Sequence, residues 1–481
     1  MYLRCSDPDC AVRVDAAGRP LSCPECGDLL EVALGVPLLD PATLKSVWRQ
    51  RRTSFDPRDA SGVWRFREFL PGPYAPAEVV TLGEGNTPLV RGQKSAAWCG
   101  LNDLRFKHLG WNPTACFKDL GMTVGITDAK RSGARVVACA STGNTSASMA
   151  AYAARAGLLA RVYLPAGAVS LNKLAQALDF GAEVHEIDGN FDDALELVLA
   201  SAGPELYFLN SVNPLRIEGQ KTVIFELLEQ LQWRPPDYLV LPGGNLGNTA
   251  AFGKALQELL AAGLIDKVPK LVVVQAEGAN PLVRAWNNGG RLQALPHPHT
   301  EATAIRIGWP RSWKKALRAL RLTGGFVLDV SDQEIAEAKA MIGSDGIGCE
   351  PASATTLAGI CKLRRDGALA PDAAVVAILT GHALKDTEYI IRHHARAKDA
   401  HGVCIEPLRH TKPRSGGPPV AQHGNEPRSG GPPVAEHGNE PRSGGPLVAQ
   451  HGSAGKARGS GPESRRDGAA ATRNRGPVPC Q

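Results

Sequence analysis

The 481-residue chain contains no run near the ~18 consecutive apolar residues needed to cross a membrane as a helix, so no membrane partner is expected. It opens Met1-Tyr2-Leu3-Arg4-Cys5 without an apolar signal segment, which leads to an expectation of a cytoplasmic protein. The body also lacks a basic helix and interleaved aromatic residues, so no specific nucleic-acid partner is expected. The formal charge of +6 is modest, and much of the excess lies late in the chain, at Arg414, Arg428, Arg442, Arg465, Arg466, Arg473 and Arg475. A basic tail of that kind attracts nucleic acid only non-specifically.

What is present divides into three stretches: residues 1–30 with four cysteines, residues 31–405, and a low-complexity tail at 406–481. A length of 481 suggests two or three domains at roughly 150 residues each. The tail carries three 14-residue repeats, Pro413–Glu426, Pro427–Glu440 and Pro441–Ala454, dominated by glycine, proline and polar residues. That composition buries too little apolar surface to offset chain entropy, and a disordered extension is expected. Between about 78 and 395, short apolar runs alternate with helical patterns. Strands are read at 135–140, 158–165, 181–187, 206–210, 237–242, 271–277 and 373–380. Helices are read at 146–157, 171–180, 191–199 and 222–231. This alternation predicts an α/β fold with parallel sheets covered on both faces. Ligands of such sheets lie beyond the C-terminal ends of the strands.

Four segments fall at such ends. Gly110-Trp111-Asn112-Pro113-Thr114-Ala115-Cys116-Phe117-Lys118-Asp119 is a turn leading into a helix that starts near Phe117. The field at a helix N-terminus disfavours a lysine cation, which helps hold Lys118 as the neutral amine a nucleophile must be. A lone lysine is otherwise an ordinary solvated charge. Ser141-Thr142-Gly143-Asn144-Thr145 joins a strand to a helix and could hold an anion, or could simply cap the helix. Gly243-Gly244-Asn245-Leu246-Gly247-Asn248 lets backbone amides approach a phosphate. It lacks both the Gly-x-Gly-x-x-Gly spacing and the Lys-Ser/Thr of nucleotide loops, so a small phosphorylated cofactor suits it better than a nucleotide. Thr380-Gly381-His382 follows the last strand, and His382 alone reads as a structural histidine.

Together these segments resemble threonine synthases, within the fold-type-II pyridoxal-phosphate enzymes that share the tryptophan synthase beta-like fold. The likeness runs from about Val79 to Asp386. Thr81-Leu82-Gly83-Glu84-Gly85-Asn86-Thr87-Pro88-Leu89 resembles the family's first motif. Asn112-Pro113-Thr114 with Phe117-Lys118-Asp119 is similar to its Schiff-base segment. Asn210-Ser211-Val212-Asn213-Pro214, with Arg216 through Thr222, and Ala304 through Trp313 also match. The resemblance implies two interleaved α/β subdomains, the smaller about 125–230. It implies pyridoxal 5′-phosphate as cofactor, Lys118 as the Schiff-base and proton-transfer lysine, Asn144 at the ring hydroxyl, Gly243–Asn248 at the phosphate and Thr380 at the ring nitrogen. Ser141, Thr142, Thr145, Asn210, Ser211 and Arg216 would bind a small phosphorylated amino acid. The implied reaction turns O-phospho-L-homoserine and water into L-threonine and phosphate. A homodimer is expected because twofold pairing is the commonest assembly. The chain departs from the pattern at Ala115-Cys116, where the family has Gly-Ser, at Leu120 for arginine, and at Ala383 for glycine. Cysteate synthase, serine/threonine dehydratases and a non-catalytic homologue are the alternatives.

Cys5-x4-Cys10 and Cys23-x2-Cys26 resemble a zinc ribbon, in which two turns supply four thiolates to one tetrahedral ion. Free thiols on a vestigial knuckle are the alternative. The scattered Cys99, Cys116, Cys139, Cys349, Cys361, Cys404 and Cys480 are expected to be buried thiols, not disulfides.

Overall fold

A computed structural model describes residues 2–141, 143–166, 171–188 and 205–393. Residues Met1–Ile405 form one compact unit. The tail repeats, the 191–199 helix, Cys404 and Cys480 lie outside the described residues.

Three sheets carry the chain. The first is antiparallel, with β1 (Tyr2–Cys5) central between β2 (Arg13–Asp15) and β3 (Leu30–Ala33). The ribbon-like segment therefore reaches Ala33, three residues past the expected boundary, because β3 pairs with β1 along its whole length. The largest sheet has six strands. They are β4 (Leu89–Arg91), β5 (Asp103–His108), β10 (Tyr238–Pro242), β11 (Lys270–Ala276), β12 (Phe326–Val330) and β13 (Ala374–Leu379), in the order β12-β11-β10-β13-β5-β4. All pairs in it are parallel except β4 with β5. The third sheet is parallel, β8-β7-β6-β9, from β6 (Val136–Ala140), β7 (Leu159–Pro165), β8 (Glu183–Ile187) and β9 (Leu206–Phe208). The central strands read as continuous apolar runs because helices cover both faces, and Leu239, Val240, Leu241 and Val272–Val274 are all fully buried.

The four-stranded sheet is one insertion into the six-stranded one, entered after β5 and left before β10. Its first helix, Lys118–Arg131, starts one residue past Phe117, as the turn signal predicts. The helix Asn144–Ala156 starts two residues before the expected Ser146. One expectation is corrected. Cys99 and Cys361, 262 residues apart in sequence, form a disulfide with Cα atoms 4.9 Å apart. The helix Gln93–Cys99 packs on the helix Pro351–Arg365, a long-range contact that spacing cannot reveal. Cys116, Cys139 and Cys349 are buried free thiols, as expected.

Candidate active site

The segments that the sequence places at strand ends do follow the C-terminal ends of strands. Lys118 follows β5, Ser141 follows β6, Asn210 follows β9, Gly243 follows β10 and Thr380 follows β13. The two parallel sheets thus present their loops to one cleft, as open α/β sheets do.

Lys118 opens its helix with Nζ over the Phe117 ring, 4.4 Å from the centroid. Desolvation and, next, the charge of Arg216 lower its pKa from 10.5 to about 8. The preceding turn is fixed by Asp119, whose carboxylate accepts from the Thr114 N–H at 2.7 Å and from the Thr114 and Ser148 hydroxyls at 2.5 Å each. Asp119 ties the lysine turn to the helix that carries Asn144. Ala115 in that turn has φ +62, a left-handed conformation that suits glycine. The Cys116 thiol is buried and pushed up to about 11 by desolvation, so it is neutral.

Asn144 and Thr380 meet through a residue the sequence did not single out. The Glu350 carboxyl accepts from Asn144 Nδ2 at 3.1 Å through one oxygen and from the Thr380 hydroxyl at 3.0 Å through the other. Thr380 Oγ1 is also 3.0 Å from the Ser353 hydroxyl. Burial raises the Glu350 pKa above the ordinary carboxylate value. The only local signal was Glu350-Pro351 at a helix start, which says nothing of where the side chain goes.

Around the glycine loop, one assignment changes. The Gly243 N–H donates to Val274 O at 2.7 Å, continuing the β10–β11 ladder, so it is not free to hold a phosphate. Gly243 serves packing instead: a Cβ there would stand 2.6 Å from Val273 Cγ1. The free donors begin further on, because the helix Gly247–Ala261 leaves the first-turn amides of Gly247, Asn248 and Thr249 without ladder partners. Leu246 caps that helix at φ +64, and Gly244 and Asn245 are half-buried beside it.

Asn210 is buried with its amide bonded twice to Ala140, Oδ1 to its N–H at 2.9 Å and Nδ2 to its carbonyl at 3.1 Å. It braces the Ser141 loop. Ser141, Thr145 and Ser211 are half-buried at the cleft, and Thr142 lies outside the described residues. His382 caps a short turn through Nδ1, which accepts from the Leu384 N–H at 3.2 Å, a structural role.

Arg216 is buried, yet among the described residues its one side-chain hydrogen bond is a 3.3 Å contact from Nη1 to Leu209 O, and Nε has no partner there. Desolvation lowers its pKa to about 10. Among the described residues no carboxylate pairs with it, and an uncompensated buried cation is costly unless an anion joins it. Gln220 Oε1, Asn248 Oδ1, Thr249 Oγ1 and Ser312 Oγ are likewise buried without partners. The first-turn amides of the Gly247–Ala261 helix, with the Thr249 and Ser312 hydroxyls, are donors that fit a phosphate, and Lys118, with its pKa lowered to about 8, more readily supplies the neutral amine that attacks a carbonyl carbon. The residues present therefore fit pyridoxal phosphate.

Comparison with known proteins agrees. The pyridoxal-phosphate dependent enzyme family matches residues 80–381. The threonine synthase of Methanocaldococcus jannaschii is 45% identical over 371 residues, 76% of this chain and 89% of that one. That of Methanosarcina acetivorans is 45% identical over 389 residues, 80% of this chain and 90% of that one. The chain belongs to the threonine synthase family of pyridoxal-phosphate-dependent enzymes. It is a lyase of that family, and the fold is the family's. Escherichia coli threonine synthase superposes with a TM-score of 0.62 at 18% identity, over 82% of this chain and 91% of that one. Maize serine racemase gives 0.53 at 22% identity, over 65% and 93%.

At the N-terminus the four cysteines converge. Their Sγ atoms lie within 4.8 Å of one another, with Cys5–Cys26 at 3.4 Å and Cys10–Cys23 at 3.7 Å. Zn–S bonds of ~2.3 Å in a tetrahedron place sulfurs roughly 3.8 Å apart, so the cluster has the right size for zinc. The backbone N–H groups of Cys26 and, less strongly, Glu25 draw the Cys23 thiol down to about 7 against the opposing effect of burial.

Proposed function

We propose that this site converts O-phospho-L-homoserine and water into L-threonine and phosphate, the last step of threonine biosynthesis. The observation that carries the substrate choice is Arg216: a buried guanidinium that no carboxylate pairs with among the described residues, close enough to Lys118 to depress its pKa. Its fork matches a phosphate oxygen pair.

Lys118 is the covalent anchor for the cofactor and the base and acid that moves protons at the substrate's Cα and Cβ. The Gly247–Thr249 amides hold the cofactor phosphate, Asn144 its ring hydroxyl and Thr380 its ring nitrogen. Pyridoxal phosphate, when bound, supplies the electron sink that lets these C–H bonds ionise. A neutral hydroxyl at the ring nitrogen tempers that sink, which suits elimination and replacement. Arg216, with Ser141, Thr142, Thr145 and Ser211, orients the substrate phosphate and stabilises the charge that grows as it leaves. Asn210 contributes by fixing the Ser141 loop. Water then adds at Cβ. A homodimer in the cytoplasm completes the proposal, twofold pairing being the commonest assembly.

The test is incubation of the cofactor-loaded protein with O-phospho-L-homoserine, measuring threonine and free phosphate, with Lys118→Ala as control. Equal yields that vanish in the variant are expected. Turnover of phosphoserine with sulfite, or of serine or threonine alone, in place of phosphohomoserine would overturn the substrate assignment.

A further inference from the structure

The cysteine ribbon is bolted to one helix, Trp313–Thr323, by three of its cationic side chains. Lys314 Nζ is 2.6 Å from both Asp7 Oδ2 and Asp28 Oδ2, and these aspartates lie two residues from Cys5 and Cys26. Lys315, fully enclosed, donates to Leu30 O at 2.7 Å. Arg318 donates to Ser6 O at 3.1 Å and pairs with Glu31. None of these contacts serves the chemistry described above.

The two residues that lead into the same helix touch the cofactor-phosphate loop. The N–H groups of Arg311 and Ser312 both donate to Asn245, to its side-chain oxygen and its carbonyl respectively, at 3.3 Å each. Ser312 caps the helix, and its buried hydroxyl has no partner. The helix is also pressed onto the helix Gly247–Ala261, whose first turn carries the free amides. The approach is so close that a Cβ on Gly253 would lie 2.2 Å from Ala319 Cβ. Ribbon, helix and phosphate loop are thus one continuous series of contacts.

We propose that Cys5, Cys10, Cys23 and Cys26 bind a structural zinc ion, and that the zinc-held ribbon is a brace that keeps the phosphate loop in its cofactor-binding geometry. A three-stranded sheet of 4-, 3- and 4-residue strands is too small to hold its shape unaided, and a tetrahedral ion fixes both turns at once. Asp7 and Asp28 inherit that rigidity from the adjacent thiolates. They pass it to Lys314, hence to the helix and to Asn245. Zinc occupancy and cofactor affinity are thereby linked, although the two sites share no ligand.

The experiment measures bound zinc by mass spectrometry and the dissociation constant for pyridoxal phosphate by fluorescence, on the full chain. Three proteins are compared: the parent before and after chelation, Cys26→Ser, and Lys314→Met. The parent is expected to carry one zinc per chain. Chelation and Cys26→Ser should remove it and weaken cofactor binding about tenfold, with recovery when zinc is returned to the chelated parent. Lys314→Met should keep its zinc yet weaken cofactor binding several-fold, because only the strut is cut. A parent without zinc after purification in zinc-containing buffer overturns the metal site. Zinc loss with an unchanged cofactor dissociation constant overturns the brace. If Cys26→Ser does not fold, the chelation and Lys314→Met arms decide alone. No substrate enters any arm, so the result stands apart from the substrate assignment.

Discussion

The carboxyl of Glu350 stands 3.0 Å from the hydroxyl of Thr380, the residue at the end of β13 that faces the cofactor cleft. Through its other oxygen it reaches Asn144, so one side chain ties the six-stranded sheet to the helix that follows β6. Burial favours its neutral form, and a neutral acid is well imitated by an amide. Glu350→Gln is therefore expected to keep the pyridoxal-phosphate dissociation constant within about threefold of the parent. Glu350→Ala removes the carboxyl that joins Asn144 and Thr380 and should weaken it by roughly tenfold, as loss of a buried hydrogen-bond partner costs about 1–3 kcal/mol. Fluorescence titration separates the two. Equal damage in both variants would mean that a carboxylate charge is required.

Arg216 is held buried at the expense of stability. Arg216→Met should lower kcat/KM for phosphohomoserine by a hundredfold or more, about 3 kcal/mol for a lost charge-assisted phosphate contact. The same variant should melt no lower than the parent, since it removes an uncompensated buried cation. Inorganic phosphate should raise the melting temperature of the parent and not of the variant. A clear loss of thermal stability in Arg216→Met would contradict this account.

The depressed pKa of Lys118 sets a pH dependence. A lysine at about 8 is protonated below that value and neutral above it. Condensation with the cofactor needs the neutral amine. The rate of cofactor uptake by the cofactor-free protein should therefore rise with pH, with its midpoint near 8. Removing the Arg216 charge should move the midpoint upward, because that charge is the second cause of the shift. Stopped-flow absorbance over this range tests both statements, and a parent midpoint near the ordinary lysine value would refute them.

Ala115 holds a left-handed conformation, at φ +62, two residues from Phe117. A Cβ there costs about 1 kcal/mol. Ala115→Gly should relieve that strain and leave stability equal or up to ~1 kcal/mol greater, with the lysine turn intact. Thermal unfolding of the cofactor-free protein measures it. Marked destabilisation would show that Ala115 makes a packing contribution larger than its strain.

Much of this site could be read before folding because its parts are contiguous. Lys118, Asn144 and Thr380 each sit in a short segment at a strand end, where turn chemistry and apolar periodicity leave local marks. The misses share the opposite property. Glu350 acts across 206 residues to Asn144, the Cys99–Cys361 disulfide joins two helices 262 residues apart, and neither contact has a local signature. Gly243 was misread for a subtler reason. Its residue type announced a tight approach, but only the β10–β11 register reveals that the neighbour is Val273 and that the N–H is already spoken for.

The four-stranded sheet is inserted whole into the six-stranded one, so the chain crosses between them twice. Lys118 lies on the outward crossing and Arg216 on the return. If the smaller sheet rocks against the larger, it must turn about these two strands of chain as a door turns on its pins. The amine and the guanidinium are then part of the hinge and not passengers on either leaf. Shutting out water and bringing the base toward the leaving phosphate would be a single movement, and a mutation that stiffened one crossing would be felt at both.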